Sequence, residues 1–222
     1  MRQASSDKYT IAWFKLAECV ARGEREKALG VYRLLSHSID DPAYAIQLEA
    51  DILLTFGDYV SAGQKYYESA LLYRANGRYT QAAALCEHTL VFISTDLACL
   101  ELVVDLHETL RNHEKIRHFG ILLCSAYEKQ RQCEKLAIIV QKIVPYLSVD
   151  QQVVWLCKAT TLLVTDAPQL SQVIQVLLQK ALHTLAILDN QESLRIFLAN
   201  LQALNDWYYQ QALHHLHNQK MF

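Results

Sequence analysis

Glycine and proline are scarce, at 6 and 3 of 222 residues. Average usage would give roughly 12 % for the two together. Sheet-rich folds need turn residues every few positions, so this scarcity argues against a sandwich or barrel and for long helices. Neither sign of charge is in excess: 21 Lys and Arg stand against 23 Asp and Glu, a formal charge of −2. That balance offers no basic field for nucleic acid or for an anionic membrane surface. No apolar run approaches the ~18 residues a membrane span needs; the stretch from Leu136 to Leu147 is interrupted by Gln141 and Lys142. Met1 to Thr10 are polar and lack the apolar core of a signal peptide. Paired cysteine spacing is absent too. Cys19, Cys86, Cys99, Cys124, Cys133 and Cys157 are scattered singly among apolar neighbours, as reduced core thiols are. The expectation is a soluble cytoplasmic protein that binds neither nucleic acid nor membrane.

What the chain does have is helical periodicity nearly throughout. Leu170, Val173, Ile174, Leu177, Leu178, Ala181, Leu182, Leu185 and Leu188 recur at steps of three and four, with polar residues on the remaining arc. Asp41-Pro42 combines an N-cap acceptor with a proline at the first helical position. Ser148 to Gln151 and Asp189 to Glu192 have capping-box spacing, and Asp166-Ala167-Pro168-Gln169 reads as a further helix start. These marks predict eleven helices, near 7–22, 24–38, 42–56, 58–75, 78–93, 96–111, 113–129, 132–147, 149–165, 168–187 and 190–217. Short connections make them antiparallel hairpins within one all-α chain, with no linker dividing 1–222.

One local phrase returns: Gly23, Ala28 and Tyr32, then Gly57, Ala62 and Tyr66, then Gly77, Ala82 and Cys86. Glycine suits the joint between two helices, alanine permits close approach, and one turn later a ring fills the gap. Gly23 and Gly57 are 34 residues apart, a helical-repeat period, whereas Gly77 follows after only 20. With Pro42 and Ala50, these residues resemble the tetratricopeptide repeat family. The resemblance is clear over 7–95, fades to degenerate hairpins over 96–189, and leaves 190–222 as a C-terminal capping helix. Trp13 sits one position off the family's tryptophan, and no turn glycine marks the later hairpins. The early third copy means either that the 57–75 helix closes one hairpin and opens another, or that the register shifts. A right-handed superhelix of antiparallel hairpins is what the resemblance implies.

No enzyme motif emerges. His113 and His118 are five apart, about 140° around a helix, whereas a zinc-protease helix needs two His four apart on one face. His214 and His217 could share a surface ion, but near a chain end solvated side chains are the simpler reading. No two glycines lie close enough for a phosphate loop. No metal, cofactor or catalytic residue is expected. Stacked hairpins instead leave one set of helices free to hold a peptide or a partner helix. The candidate groove residues are Trp13, Tyr44, Gln47, Asp51, Tyr67 and Arg74, with aromatic area for contact and Arg74 for a carboxylate. Trp207, Tyr208 and Tyr209 span about 200° of a helix, so all three cannot face one core; they suggest an end cap or a docking surface. The functional expectation is a non-enzymatic module binding a partner protein or peptide. An alternative is a chaperone or regulator dedicated to one protein, with homodimerisation possible. An enzyme with a thiol or metal centre assembled across hairpins has no motif behind it.

Overall fold

The computed structural model describes residues 3–188 and 190–218, with side chains from Thr10 onward. Among the described residues there are twelve α-helices and no strand. They form two compact units, divided between Arg111 and Asn112. The first unit holds α1 (Gln3–Ala21), α2 (Arg25–Ser36), α3 (Pro42–Thr55), α4 (Tyr59–Ala75), α5 (Tyr79–Phe92) and α6 (Leu97–Thr109). The second holds α7 (His113–Lys129), α8 (Cys133–Ile143), α9 (Val149–Asp166), α10 (Ser171–Leu188), α11 (Gln191–Leu204) and α12 (Asp206–Asn218). Within each unit, sequential helices pack against one another, consistent with stacked antiparallel hairpins.

The joints explain the order. Gly23, Gly57 and Gly77 have φ of 72°, 75° and 71°, in the left-handed region. Each closes its helix with paired backbone bonds: Gly57 N–H donates to Leu54 O at 2.9 Å and Asp58 N–H to Leu53 O at 3.0 Å. This is a Schellman ending, which satisfies carbonyls that the helix terminus would otherwise orphan. The same left-handed backbone recurs at Arg111 (φ 54°) and Arg131 (φ 53°). Arg131 N–H donates to Glu128 O and Gln132 N–H to Tyr127 O, at 3.1 and 3.0 Å. The five positions therefore step by 34, 20, 34 and 20 residues. From Gly23 to Arg131 the left-handed joints thus recur every 54 residues, over three helices, and the early Gly77 belongs to that pattern. The joints that precede α3, α6 and α9 use side-chain caps instead, from Asp41, Asp96 and Ser148.

Helix α4 shows why a regular 34-residue hairpin does not persist. Its Tyr66, Ser69 and Tyr73 face α3, where Ser69 Oγ donates to Ala43 O at 2.7 Å and Tyr73 Oη to Gln47 Oε1 at 3.1 Å. Gly63 faces the end of α5, and a Cβ there would lie 2.8 Å from Ile93 Cδ1. With partners on both sides, α4 closes one hairpin and opens the next. Ala28, Ala62 and Ala82 are fully buried just after their joints, and Tyr32 and Tyr66 are buried one turn later. Leu16 and Cys19 of α1, Val31 and Leu35 of α2, and Ile52 of α3 complete the core there. In the second unit Gly120 lets α7 and α8 meet: a Cβ would come within 2.6 Å of Ile143 Cγ2. Leu156, Leu163, Ile174, Leu177 and Leu182 fill the space around α9 and α10.

Three expectations need correction. The 190–217 helix is two helices, because Asn205 adopts an extended backbone (φ −162°, ψ 108°). Its Oδ1 accepts the N–H groups of Trp207 and Tyr208 at 3.0 and 3.4 Å, capping α12. The total is therefore twelve among the described residues, not eleven. Asp166 ends α9 rather than capping α10, and Pro168 lies in the turn between them. The Ser148–Gln151 capping box is present, but the later one is not formed as expected: Asn190 caps α11, accepting from Ser193 N–H at 2.9 Å. Asp189 itself lies outside the described residues, as do residues 1, 2 and 219–222.

Candidate partner-binding surface

The α3–α4 hairpin carries a connected polar and aromatic cluster. Asp41 Oδ1, at the N-terminus of α3, accepts the N–H of Ala43 at 3.0 Å and of Tyr44 at 3.3 Å. Its other oxygen accepts from the Arg78 guanidinium at the start of α5. Arg78 also lies 4.3 Å over the Tyr73 ring, a cation–π contact. Asp51, about one turn beyond Gln47, accepts from Tyr66 Oη. Lys65 Nζ bridges Glu49 and Glu68, at 3.2 Å each. The hydrogen bond from Arg78 holds the Asp41 carboxyl below the usual carboxylate range. Burial first, and then Asp51, push the Tyr66 hydroxyl's pKa up, so it stays a protonated donor. The cluster fixes α3 against α4 and α5. Its hydroxyl, amide and charged groups hold one another in place.

The expected groove residues divide between two places. Tyr44, Gln47 and Asp51 share one side of α3, but Gln47 and Asp51 are already engaged by the Tyr73 and Tyr66 hydroxyls. Tyr44 remains 43 % exposed beside this rigid frame. Tyr67 and Arg74 occupy the neighbouring face of α4, about 100° around from Tyr66 and Tyr73. Burial is the main cause of the raised Tyr67 pKa, followed by Cys99 of α6, Cys86 of α5 and Glu101 of α6. Trp13 belongs to α1, which packs on α2, and is 37 % exposed. At the other end, Trp207 is half exposed, Tyr208 buried and Tyr209 intermediate. Trp207 and Tyr208 meet edge to face at 4.8 Å.

Sequence reasoning missed the Asp41–Arg78–Tyr73 chain, because Asp41 reads as a helix cap and Arg78 as a turn residue. A 37-residue separation gives no local signal. It also missed His107, which is buried on α6 with its Nε2 2.7 Å from Glu87 Oε1 of α5. That pair spans two helices and is held within their packing.

Most of the thiols lie in the core. None of the six is in a disulfide, and five are buried. Burial pushes Cys124 and Cys157 up to about 12. A hydrogen bond to Cys99, together with burial, pushes Cys86 up as well. Cys133 lines an open cleft of about 620 Å³ with Arg131 and Asp166. There the carboxylate is committed to the guanidinium, at 2.6 and 2.9 Å. Among the described residues no three His, Cys, Asp or Glu side chains converge as a metal site. His214 Nε2 instead lies 2.9 Å from Asn218 Nδ2. No described helix is long and apolar enough to cross a membrane. Protein-family models give no match to the chain, and neither do the curated proteins.

Proposed function

We propose that this chain is a non-enzymatic interaction module of a tetratricopeptide-like kind, which holds a peptide or helical segment of a partner protein. The observation that carries the reading is Tyr44: an exposed ring on a helix whose other polar side chains are locked by hydrogen bonds. A tyrosine held on a rigid frame contributes contact area at little entropic cost. The joints support the same reading, since glycine, buried alanine and buried tyrosine stand where such a repeat needs them. Thiols kept reduced by burial suit a reducing compartment such as the cytoplasm.

The test is capture of partners from lysate with the wild-type protein and with Tyr44→Ala/Tyr67→Ala, read by quantitative mass spectrometry and checked by circular dichroism. We expect the double variant to keep its helix signal and to lose the wild type's specific partner. Equal recovery by both proteins would place the binding surface elsewhere and refute the assignment to α3 and α4.

A further inference from the structure

Cys86 of α5 and Cys99 of α6 form a thiol pair with no part in the proposed partner binding. Both are fully buried, and α5 packs on α6. Two contacts turn them toward one another. The Cys86 thiol is hydrogen-bonded to Cys99. Separately, His107 Nε2 lies 2.7 Å from Glu87 Oε1, so the side of α6 that carries His107 meets α5 at the residue after Cys86. Cys99 lies about two turns before His107 and only about 80° around the helix, with buried Val103 between them.

A disulfide needs its sulfurs about 2.05 Å apart, and thiols already in contact need only a small approach to reach that. The adjustment falls on Cys99, in the first turn of α6, where Asp96 Oδ1 accepts its N–H at 2.9 Å. Helix ends open more readily than helix interiors. We propose that Cys86 and Cys99 are an oxidation site, closing a disulfide that staples α5 to α6. The oxidant is a low-molecular-weight disulfide such as oxidised glutathione. One protein thiol loses its proton and attacks a sulfur of the oxidant, giving a mixed disulfide and one glutathione thiolate. The second protein thiol loses its proton and attacks the protein sulfur of that mixed disulfide. The Cys86–Cys99 bond forms and the second glutathione thiolate leaves. The two thiolates take up the two protons, so two protein thiols are oxidised and one glutathione disulfide is reduced. Burial makes the first step slow, because α5 and α6 must part to admit the oxidant. The second step is intramolecular: the cysteines are thirteen positions apart, and native packing returns them to contact.

The test incubates the full chain with oxidised glutathione in urea below its unfolding transition, where circular dichroism still shows the native helix signal. Remaining thiols are then blocked with N-ethylmaleimide. Cleavage after Glu68, Glu87 and Glu101 places Cys86 in residues 69–87 and Cys99 in residues 88–101. Mass spectrometry is expected to find these two peptides joined, the intact chain lighter by two hydrogens, and no lasting glutathione adduct on either cysteine. Cys86→Ala keeps that part of the core apolar and should leave Cys99 carrying a glutathione adduct in place of the bridge. The wild-type peptide map decides the matter even if that variant does not fold. Recovery of the two peptides only as separate N-ethylmaleimide or glutathione adducts would overturn the proposal. So would a bridge that joins either cysteine to a different one. Partner capture by Tyr44 can succeed or fail independently of these outcomes.

Discussion

Replacing Arg111 by glycine should stabilise the protein, against the usual expectation that removing a side chain weakens a fold. Arg111 holds φ at 54°, where a Cβ crowds the carbonyl and costs about 1–2 kcal/mol. Glycine relieves that cost but loses more backbone freedom on folding, by about 0.5–1 kcal/mol. The net gain is about 0.5–1 kcal/mol, which in a chain of this size shifts Tm by about 1–4 °C. Arg131 has the same backbone, φ 53°, but its guanidinium also grips Asp166 at 2.6 and 2.9 Å. That pair is partly exposed and contributes about 0.2–1 kcal/mol, so Arg131→Gly should come out near zero. The mirror experiment is Gly57→Ala, at φ 75° with open space where the Cβ would go. Its cost is then conformational alone, about 1 kcal/mol. Thermal melts followed by circular dichroism, with calorimetry to check each transition, measure all three. The reasoning fails if Arg111→Gly lowers Tm, or if Gly57→Ala leaves it unchanged.

Gly120→Ala should cost about 1–3 kcal/mol by overpacking, because its methyl would meet Ile143 at 2.6 Å. Gly30→Ala, on an open helical face, should instead gain about 0.5–1 kcal/mol in the same melts. At pH 8, Cys124 and Cys157, raised to about 12 from an ordinary 9.0, should hold roughly a thousandfold less thiolate than an ordinary cysteine. These two thiols should therefore show no fast phase with a disulfide-exchange reagent until the protein unfolds, and a rapid phase assigned to either by peptide mapping would contradict this. Asp41 has a carboxyl pKa lowered from 3.8 by the Arg78 hydrogen bond. Its stabilisation is thus complete above that value and lost as pH falls through the lower, folded one. Asp41→Asn should flatten the acid side of a Tm-against-pH curve below pH 4, and an unaltered acid limb would show that the pair contributes nothing.

Helix existence was legible because apolar residues at steps of three and four reflect burial directly. Joints were legible only where glycine marked them. Arg111 and Arg131 adopt the same left-handed backbone, but arginine carries no sign of it, so the second half of the 54-residue pattern stayed hidden. Asn205 interrupts a run from Leu201 to Tyr208 that continues to look helical, and its cap shows only in the extended backbone. For the candidate surface, spacing puts Tyr44, Gln47 and Asp51 on one side of α3. What spacing lacks is the partner: the hydroxyls that occupy Gln47 and Asp51 come from residues 26 and 15 positions away. Their use is decided by hairpin packing, which no local pattern encodes.

The two-sided packing of α4 limits how this chain can be shortened or lengthened. A splice that removed α3 and α4 together would strip α5 of its neighbour, and one that removed α4 and α5 would strip α3. Cutting from one left-handed joint to the equivalent joint 54 residues on, as from Gly23 to Gly77, removes three helices and keeps the turn type at the seam. Recombination among such chains should therefore conserve blocks of three helices. Length variants differing by a single hairpin would have to rebuild the exposed wall of α4 before they could fold.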